Sequence, residues 1–276
     1  MKELIINNLY IEVTRRCNLK CNHCLRGDKE KIDLNIQNLN QLFDNKIINI
    51  KKINHLTITG GEPTLNIDTI QHIIKKIIEG NIIVEHFIMV INGKIYNQDL
   101  INDLNKFYEY YQCHYHHYYS FLLICSQDQF HTPPKQETLN KYKQLPYFKS
   151  NYIYLTKEQI LNIGRAYENK LGNEYSYEDT MLYFDYYKNN NYPNITKENK
   201  GTIKLDELYL SAKGLYSFRI IDVPFKQIDE LCIYDINQMC YNILRCCEDF
   251  NCMSLSNNTE QNSLKNKYKI LKIKSK

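Results

Sequence analysis

Apolar residues recur along the first 145 positions in two alternating periods. Leu9-Tyr10-Ile11-Glu12-Val13-Thr14 is rich in β-branched and aromatic residues and partly alternates, predicting a strand that runs to about Thr14. Leu34, Ile36, Leu39, Leu42, Phe43 and Ile47 then recur at helical spacing. A second strand is predicted over Lys52 to Thr59. A second helix follows from Ile67, Ile70, Ile73, Ile74, Ile77 and Ile78, closed by Gly80-Asn81. The alternation continues with a strand from Ile82 to Ile91, a helix from Asp99 to about Gln112 and a strand from Tyr118 to Cys125. Pro133-Pro134 opens a helix over about 135–145, and a fifth strand is predicted over Gln159 to Ile163, ending at Gly164. Strands alternating with helices predict a parallel sheet covered by outer helices.

After about residue 167 the pattern weakens. Residues 167–200 read as an insertion or loop, with a helix near 178–188. Ile203 to Leu210 and Leu215 to Ile221 flank Ser211-Ala212-Lys213-Gly214 and predict a β-hairpin, and a helix is predicted from Ile233 to about Phe250. Residues 253–276 are polar, then lysine-rich, and are expected to be mobile. The expected fold is α/β: a partial (β/α) TIM-like barrel of about six parallel strands over residues 1–200. A small α+β extension (201–252) and a basic tail (253–276) follow it.

Composition narrows the class. With 276 residues, 43% of them hydrophobic, the chain can bury a sizeable core. No apolar run approaches the roughly 18 residues of a membrane span, and Met1-Lys2-Glu3-Leu4 lacks a signal-peptide pattern, so a cytoplasmic protein is expected. Ten cysteines in that setting point to metal or reactive thiols and away from a disulfide scaffold. Six lysines fall in 264–276, so the net +4 of the chain becomes −2 without them, and the basic excess belongs to the tail. A solvated tail is preferred there over one that touches nucleic acid or acidic lipid. No P-loop or G-x-S-x-G elbow is present.

The candidate chemistry begins at Cys17, Cys21 and Cys24, a C-x3-C-x2-C run leaving the first strand. Three thiolates can hold an iron–sulfur cluster and leave one of four irons without a protein ligand. The same spacing would place three core cysteines on one helix face, but Arg15, Arg16, Asn18, Lys20, Asn22 and Arg26 are too polar for that. A zinc site with His23 as fourth ligand is the other reading, made awkward because His23 is adjacent to Cys24.

The run resembles the cluster motif of the radical S-adenosylmethionine (radical SAM) enzymes. Gly60-Gly61-Glu62-Pro63, after the strand-like His55 to Thr59, resembles that family's second motif, and the resemblance covers about residues 9–166. It implies that Cys17, Cys21 and Cys24 hold a [4Fe–4S] cluster and that S-adenosylmethionine chelates the fourth iron. Reductive cleavage would give methionine and a 5′-deoxyadenosyl radical, which abstracts hydrogen from substrate. A low-potential one-electron donor is required.

The resemblance also implies roles for single residues. Gly60 and Gly61 let the turn lie close to the methionine moiety, Glu62 takes its ammonium, and Pro63 stiffens the turn. Asn92-Gly93 matches a third strand end, with Ile91 where many relatives have threonine. Ser126 and Asp128 match a fourth, near the ribose or the methionyl carboxylate, although Asp128 equally suits capping of its own loop. His131 is a candidate acid–base group or an ordinary loop histidine, and Asp128 is the other catalytic candidate. Arg165, in Gly164-Arg165-Ala166, pairs with a carboxylate of cofactor or substrate, or with a structural partner. His23 offers a flat ring beside the adenine and is not read as a ligand. An auxiliary cluster on Cys232, Cys240, Cys246, Cys247 and Cys252 is not favoured, since Cys240, Cys246 and Cys247 fall on the predicted amphipathic helix as small core residues, and His114, His116 and His117 are read as structural. The substrate is a peptide, protein or small metabolite, the cysteine-bearing extension favouring the first two. A non-catalytic iron–sulfur or zinc protein is the alternative, and a modifier of nucleotides or nucleic acids a further one. No membrane partner is expected, and nucleic acid is not favoured.

Overall fold

Strand β1 (Lys2–Glu12) lies inside one continuous sheet, with β2 (Ile48–Thr59) parallel to it on one side and β7 (Thr202–Leu210) parallel on the other. The computed structural model describes residues 2–114, 121–173, 195–197, 202–216 and 224–225. Beyond β2 come β3 (Ile83–Ile91), β4 (Phe121–Cys125) and β5 (Phe148–Lys149), all parallel. Beyond β7 lie β6 (Ile195–Lys197) and β8 (Leu215–Tyr216), both antiparallel to it. The order β5-β4-β3-β2-β1-β7-β6 does not close on itself. It is an open α/β barrel with six mutually parallel strands.

Helices α1 (Ile36–Phe43), α2 (Ile67–Glu79) and α3 (Gln98–His114) cover one face. Helix α2 forms because Ile70, Ile73, Ile74 and Ile77 fall on one stripe, with Asp68 in its first turn and Gly80 at its end. Each fully buried isoleucine contributes about 1.5–3 kcal/mol of burial. They belong to one core cluster with Leu4, Ile6, Leu9 and Ile11 of β1 and buried residues of β2, β3 and β7.

The inside–outside alternation breaks at one height across four strands. Ile6-Asn7-Asn8-Leu9, Ile53-Asn54-His55-Leu56, Val84-Glu85-His86-Phe87 and Leu205-Asp206-Glu207-Leu208 each place two polar residues between two buried apolar ones. The four breaks are in register: Asn8 pairs with His55 and Glu207, and His55 with His86. Asn54 donates to Asn7 (2.8 Å), Asn7 donates to Asp206 (3.1 Å), and the His55 and His86 rings stack at 4.4 Å.

The sequence expectation fails at the fifth strand. Residues 157–159 form a 3-10 turn and Gly164–Glu168 form helix α5, while the fifth parallel strand is β5. Local hydrogen bonding decides this: the Gln159 side chain accepts from the Thr156 N–H at 3.0 Å, and Gly164 enters α5 at φ +54°. Helix α4 (Gln136–Tyr142) follows the Pro133-Pro134 pair as expected. The expected hairpin begins in β7 and β8, and its first strand is part of the main sheet. The expected helices near 178–188 and 233–250, the cysteines from Cys232 onward, His116, His117 and the lysine tail all lie outside the described residues. Among the described residues no helix is long and apolar enough to cross a membrane.

Candidate active site

The cysteine-bearing loop leaves the C-terminal end of β1 and is closed at its base by one buried carboxylate. Glu12 Oε1 accepts from Arg15 Nε at 2.7 Å, and Glu12 Oε2 accepts from Arg26 Nη2 at 2.6 Å. Arg15 precedes Cys17 and Arg26 follows Cys24, so Glu12 ties the two ends of the loop together. The Tyr209 hydroxyl of β7 donates to Glu12 at 2.7 Å, and burial pushes its pKa well above the usual tyrosine value. Arg15 also reaches Glu30 at 2.9 Å. The Phe225 ring lies 4.7 Å from the Arg15 guanidinium and 4.4 Å from that of Arg26.

The turn after β2 packs backbone against backbone on this loop. A Cβ on Gly60 would run into the Thr14 carbonyl, and one on Gly61 into the Arg15 and Arg16 carbonyls. Only glycine leaves room for the bonds that form, from Gly61 N to Thr14 O (2.8 Å) and from Glu62 N to Arg16 O (2.7 Å). Pro63, buried, opens a 3-10 turn over Pro63–Leu65.

Glu62 itself is 1% exposed. Its carboxylate accepts from the Thr64 N–H and hydroxyl and from the Asn92 N–H. Among the described residues no lysine, arginine or histidine pairs with it. Burial therefore raises its pKa, against the opposing pull of the Thr64 and Asn92 hydrogen bonds. A buried carboxylate with its hydrogen bonds filled and its charge uncompensated is suited to an incoming cation.

The remaining strand ends converge on the same loop. After β3, the Asn92 amide donates to Asn18 at 2.6 Å. Gly93, at φ +69°, avoids a clash between a Cβ and the Cys125 sulfur. Ser126 follows β4 and donates its N–H to Ile91 at 2.9 Å. Asp128 Oδ1 accepts from the N–H groups of Phe130 (2.8 Å) and His131 (3.1 Å), which is the capping role. Its Oδ2 faces two imidazoles, His131 Nδ1 at 2.7 Å and His23 Nε2 at 3.3 Å. Burial alone would raise the Asp128 pKa, but the Phe130 N–H and the two imidazoles outweigh it and hold the carboxyl below its usual range. Burial lowers the pKa of His23. Arg165, at the start of α5, donates its side chain to the Cys21 carbonyl and its N–H to the Cys24 carbonyl at 3.0 Å. His114, at the exposed end of α3, bonds the Tyr110 carbonyl at 2.9 Å.

Cys17, Cys21 and Cys24 are free thiols, all half-buried. Burial pushes the Cys17 thiol up, and burial with repulsion from Cys24 and Cys17 pushes Cys21 up to about 11. Two thiols that resist ionising, with Cys24 and a buried carboxylate beside them, form a donor set that a polynuclear cation would relieve. The residues present thus fit a cysteine-ligated cluster.

The family model of the radical SAM superfamily matches residues 11–199. This chain belongs to the radical SAM superfamily.

An uncharacterised protein of Methanocaldococcus jannaschii is 32% identical over 69 residues, 25% of this chain and 24% of that protein. Among solved structures, anSMEcpe with bound AdoMet matches at TM-score 0.40 and 15% identity, over 64% of this chain and 49% of that one. Streptococcus suis SuiB bound to precursor peptide SuiA matches at TM-score 0.34 and 14% identity, over 76% of this chain and 59% of that one. The chain thus spans about half the length of the first of these structures and about a quarter of the curated relative.

Within the radical SAM framework, the residues that sequence reasoning missed are the Glu12, Arg15, Arg26, Tyr209 and Phe225 set. Their one sequence signal is an acid ending a largely apolar strand, with arginines on both sides of the cysteine run.

Proposed function

We propose that this radical SAM chain is an enzyme that cleaves S-adenosylmethionine reductively, using a cluster held by Cys17, Cys21 and Cys24. The observation that carries this reading is Glu62, a buried carboxylate without a cationic partner among the described residues, in the turn packed on the three-thiol loop. When bound, a [4Fe–4S] cluster would supply one electron to the sulfonium, and the carbon–sulfur cleavage that follows yields the 5′-deoxyadenosyl radical.

The chain's own residues do the positioning. Glu62 receives the methionyl ammonium through a charge-assisted hydrogen bond. Asn92 holds Glu62 through its N–H and the loop through its amide. Gly60 and Gly61 bring that turn onto the loop, and Arg165 and Glu12 fix the loop's two sides. The proposed substrate is a peptide or protein, supported by the cysteine-bearing C-terminal extension, and the proposed location is cytoplasmic.

Anaerobic reconstitution with iron and sulfide, then S-adenosylmethionine and a strong one-electron reductant, should yield 5′-deoxyadenosine and methionine. One zinc per chain with no iron–sulfur absorbance after reconstitution would overturn the reading. A peptide fraction of cell extract should raise product formation, and that gain should vanish after protease treatment. A gain that survives protease would remove the peptide class.

Glu62→Gln separates binding from folding. The Thr64 hydroxyl can turn to accept from the new amide, so the fold loses about one hydrogen bond and loses the cost of a buried charge. Stability near neutral pH should change by less than about 1 kcal/mol. Affinity for S-adenosylmethionine should fall roughly ten- to hundredfold, the worth of a charge-assisted bond. The parent's pKa at this residue is raised from 4.5 on folding, so its stability relative to the variant should decline as pH rises above 4.5. Melting curves and calorimetric titration read the two effects. Unchanged affinity would remove the assigned role.

A further inference from the structure

We propose that His23, Asp128 and His131 form a second metal site, for a single divalent first-row cation, separate from the three cysteines. Among the described residues, this is the set of three whose ligand atoms all lie within 4.8 Å of one another. His131 Nδ1 lies 2.7 Å and His23 Nε2 3.3 Å from the same oxygen, Asp128 Oδ2. An ion about 2.1 Å from each ligand atom would see those two pairs at roughly 80° and 100°, and the two imidazole nitrogens, within 4.8 Å of each other, must then come to about 4.2 Å or less.

The unusual member is His23. Its Nδ1 is buried without a hydrogen-bond partner among the described residues, and 3.3 Å is long for a charge-assisted bond at Nε2. Neither ring nitrogen therefore has an ordinary hydrogen bond, yet the ring is fixed. It stacks on Phe130 at 4.8 Å and meets the edge of His131 at 4.9 Å. Both rings converge on a single carboxylate oxygen, and an ion placed among them would engage all three groups at once. The other Asp128 oxygen is held by two backbone N–H groups, the kind of outer support that orients a ligating carboxylate.

Two imidazoles and one carboxylate leave coordination positions open, the layout of sites that bind and polarise a water or substrate group. His23 lies between Cys21 and Cys24, so the ion would sit on the same end of the barrel as the thiols. The proposal does not depend on reductive cleavage, because the site shares no ligand with the three cysteines.

Cobalt(II) tests it in the full chain carrying Cys17→Ala, Cys21→Ala and Cys24→Ala, which removes the three thiols of the neighbouring loop, with the remaining cysteines blocked by alkylation before cobalt is added. One equivalent should bind, with visible d–d bands, no thiolate-to-cobalt charge transfer, and displacement by zinc. His131→Ala should weaken binding by at least about 100-fold, beyond the 10–100-fold typical of outer-shell partners. Asp128→Asn, which keeps an acceptor for the two N–H groups, should weaken it likewise, and His114→Ala should leave it unchanged. Zinc retained per chain after desalting, in the parent and in His131→Ala, gives the same comparison if the triple variant fails to fold. No bound ion, a thiolate spectrum alone, or binding indifferent to His131→Ala and Asp128→Asn would overturn the site.

Discussion

Cys17→Ala, Cys21→Ala and Cys24→Ala are each expected to abolish 5′-deoxyadenosine formation and to leave the reconstituted chain without stoichiometric iron. Burial raises Cys17 and Cys21, the latter to about 11, so without metal these two groups are thiols near neutral pH. Loading must expel their protons, and the metal–sulfur bonds must supply that energy. By analogy with structural zinc, each ligand is worth on the order of 3 kcal/mol, and losing one costs roughly a hundredfold in retention. Product should fall below detection, because the two remaining thiols leave a second metal atom without a protein ligand. Loading should also release protons and weaken as pH falls. Cys113→Ala is the control: that thiol is exposed on α3 and should not matter. Iron content and product at parental levels in any of the three variants would remove that cysteine from the ligand set.

Glu12→Ala is expected to destabilise the chain by about 3–5 kcal/mol, the cost of leaving buried cations without their anion. Arg15 has a fully buried side chain and Arg26 one that is 8% exposed, and both meet the Glu12 carboxylate. Domains of this kind have only about 5–15 kcal/mol in total, so urea midpoints should shift strongly. Replacing charge by apolar volume on both sides should recover much of the loss. Glu12→Leu with Arg26→Met should be more stable than Glu12→Leu alone, with a coupling energy above about 1 kcal/mol in a double-mutant cycle. A loss under about 1 kcal/mol for Glu12→Ala would show that Glu30 and Phe225 hold the arginines unaided. The recovered double variant should still lose iron faster than the parent, because the clasp across the loop is gone.

The strands and helices up to α4 were legible in the sequence because each buries one face, and burial writes its period into the residues. The cysteine run and Gly60 to Pro63 were legible for a different reason: cluster ligation and close backbone packing tolerate few residue types at fixed spacing. The clasp was not. Arg15 and Arg26 looked like polar flanks, and their burial depends on Tyr209, a hydrogen-bond partner of Glu12 some 197 positions away. Nor was β5: two residues, Phe148–Lys149, are too few to show a period, while Gln159 to Ile163 is rich in β-branched and aliphatic residues but is turned by Thr156 and Gly164. His23 was read as a ring beside a nucleobase, and its approach to Asp128 and His131 depends on how the loop after β4 folds back.

The in-register polar pairs across β7, β1, β2 and β3 work as a common datum line. Counted from Glu207, Asn8, His55 and His86, the fourth residue onward is Ser211, Glu12, Thr59 and Val90, and Glu12 pairs directly with Thr59. The cysteine loop after Glu12 and the turn after Thr59 leave their strands from the same level. A residue inserted above that line in a single strand would lift its motif by about 3.3 Å and turn its side chain to the opposite face. One inserted below it would be absorbed at the far end of the barrel. Length variation between relatives should therefore gather beneath the line or in the connecting helices, and the short span above it should keep its residue count even where its sequence drifts.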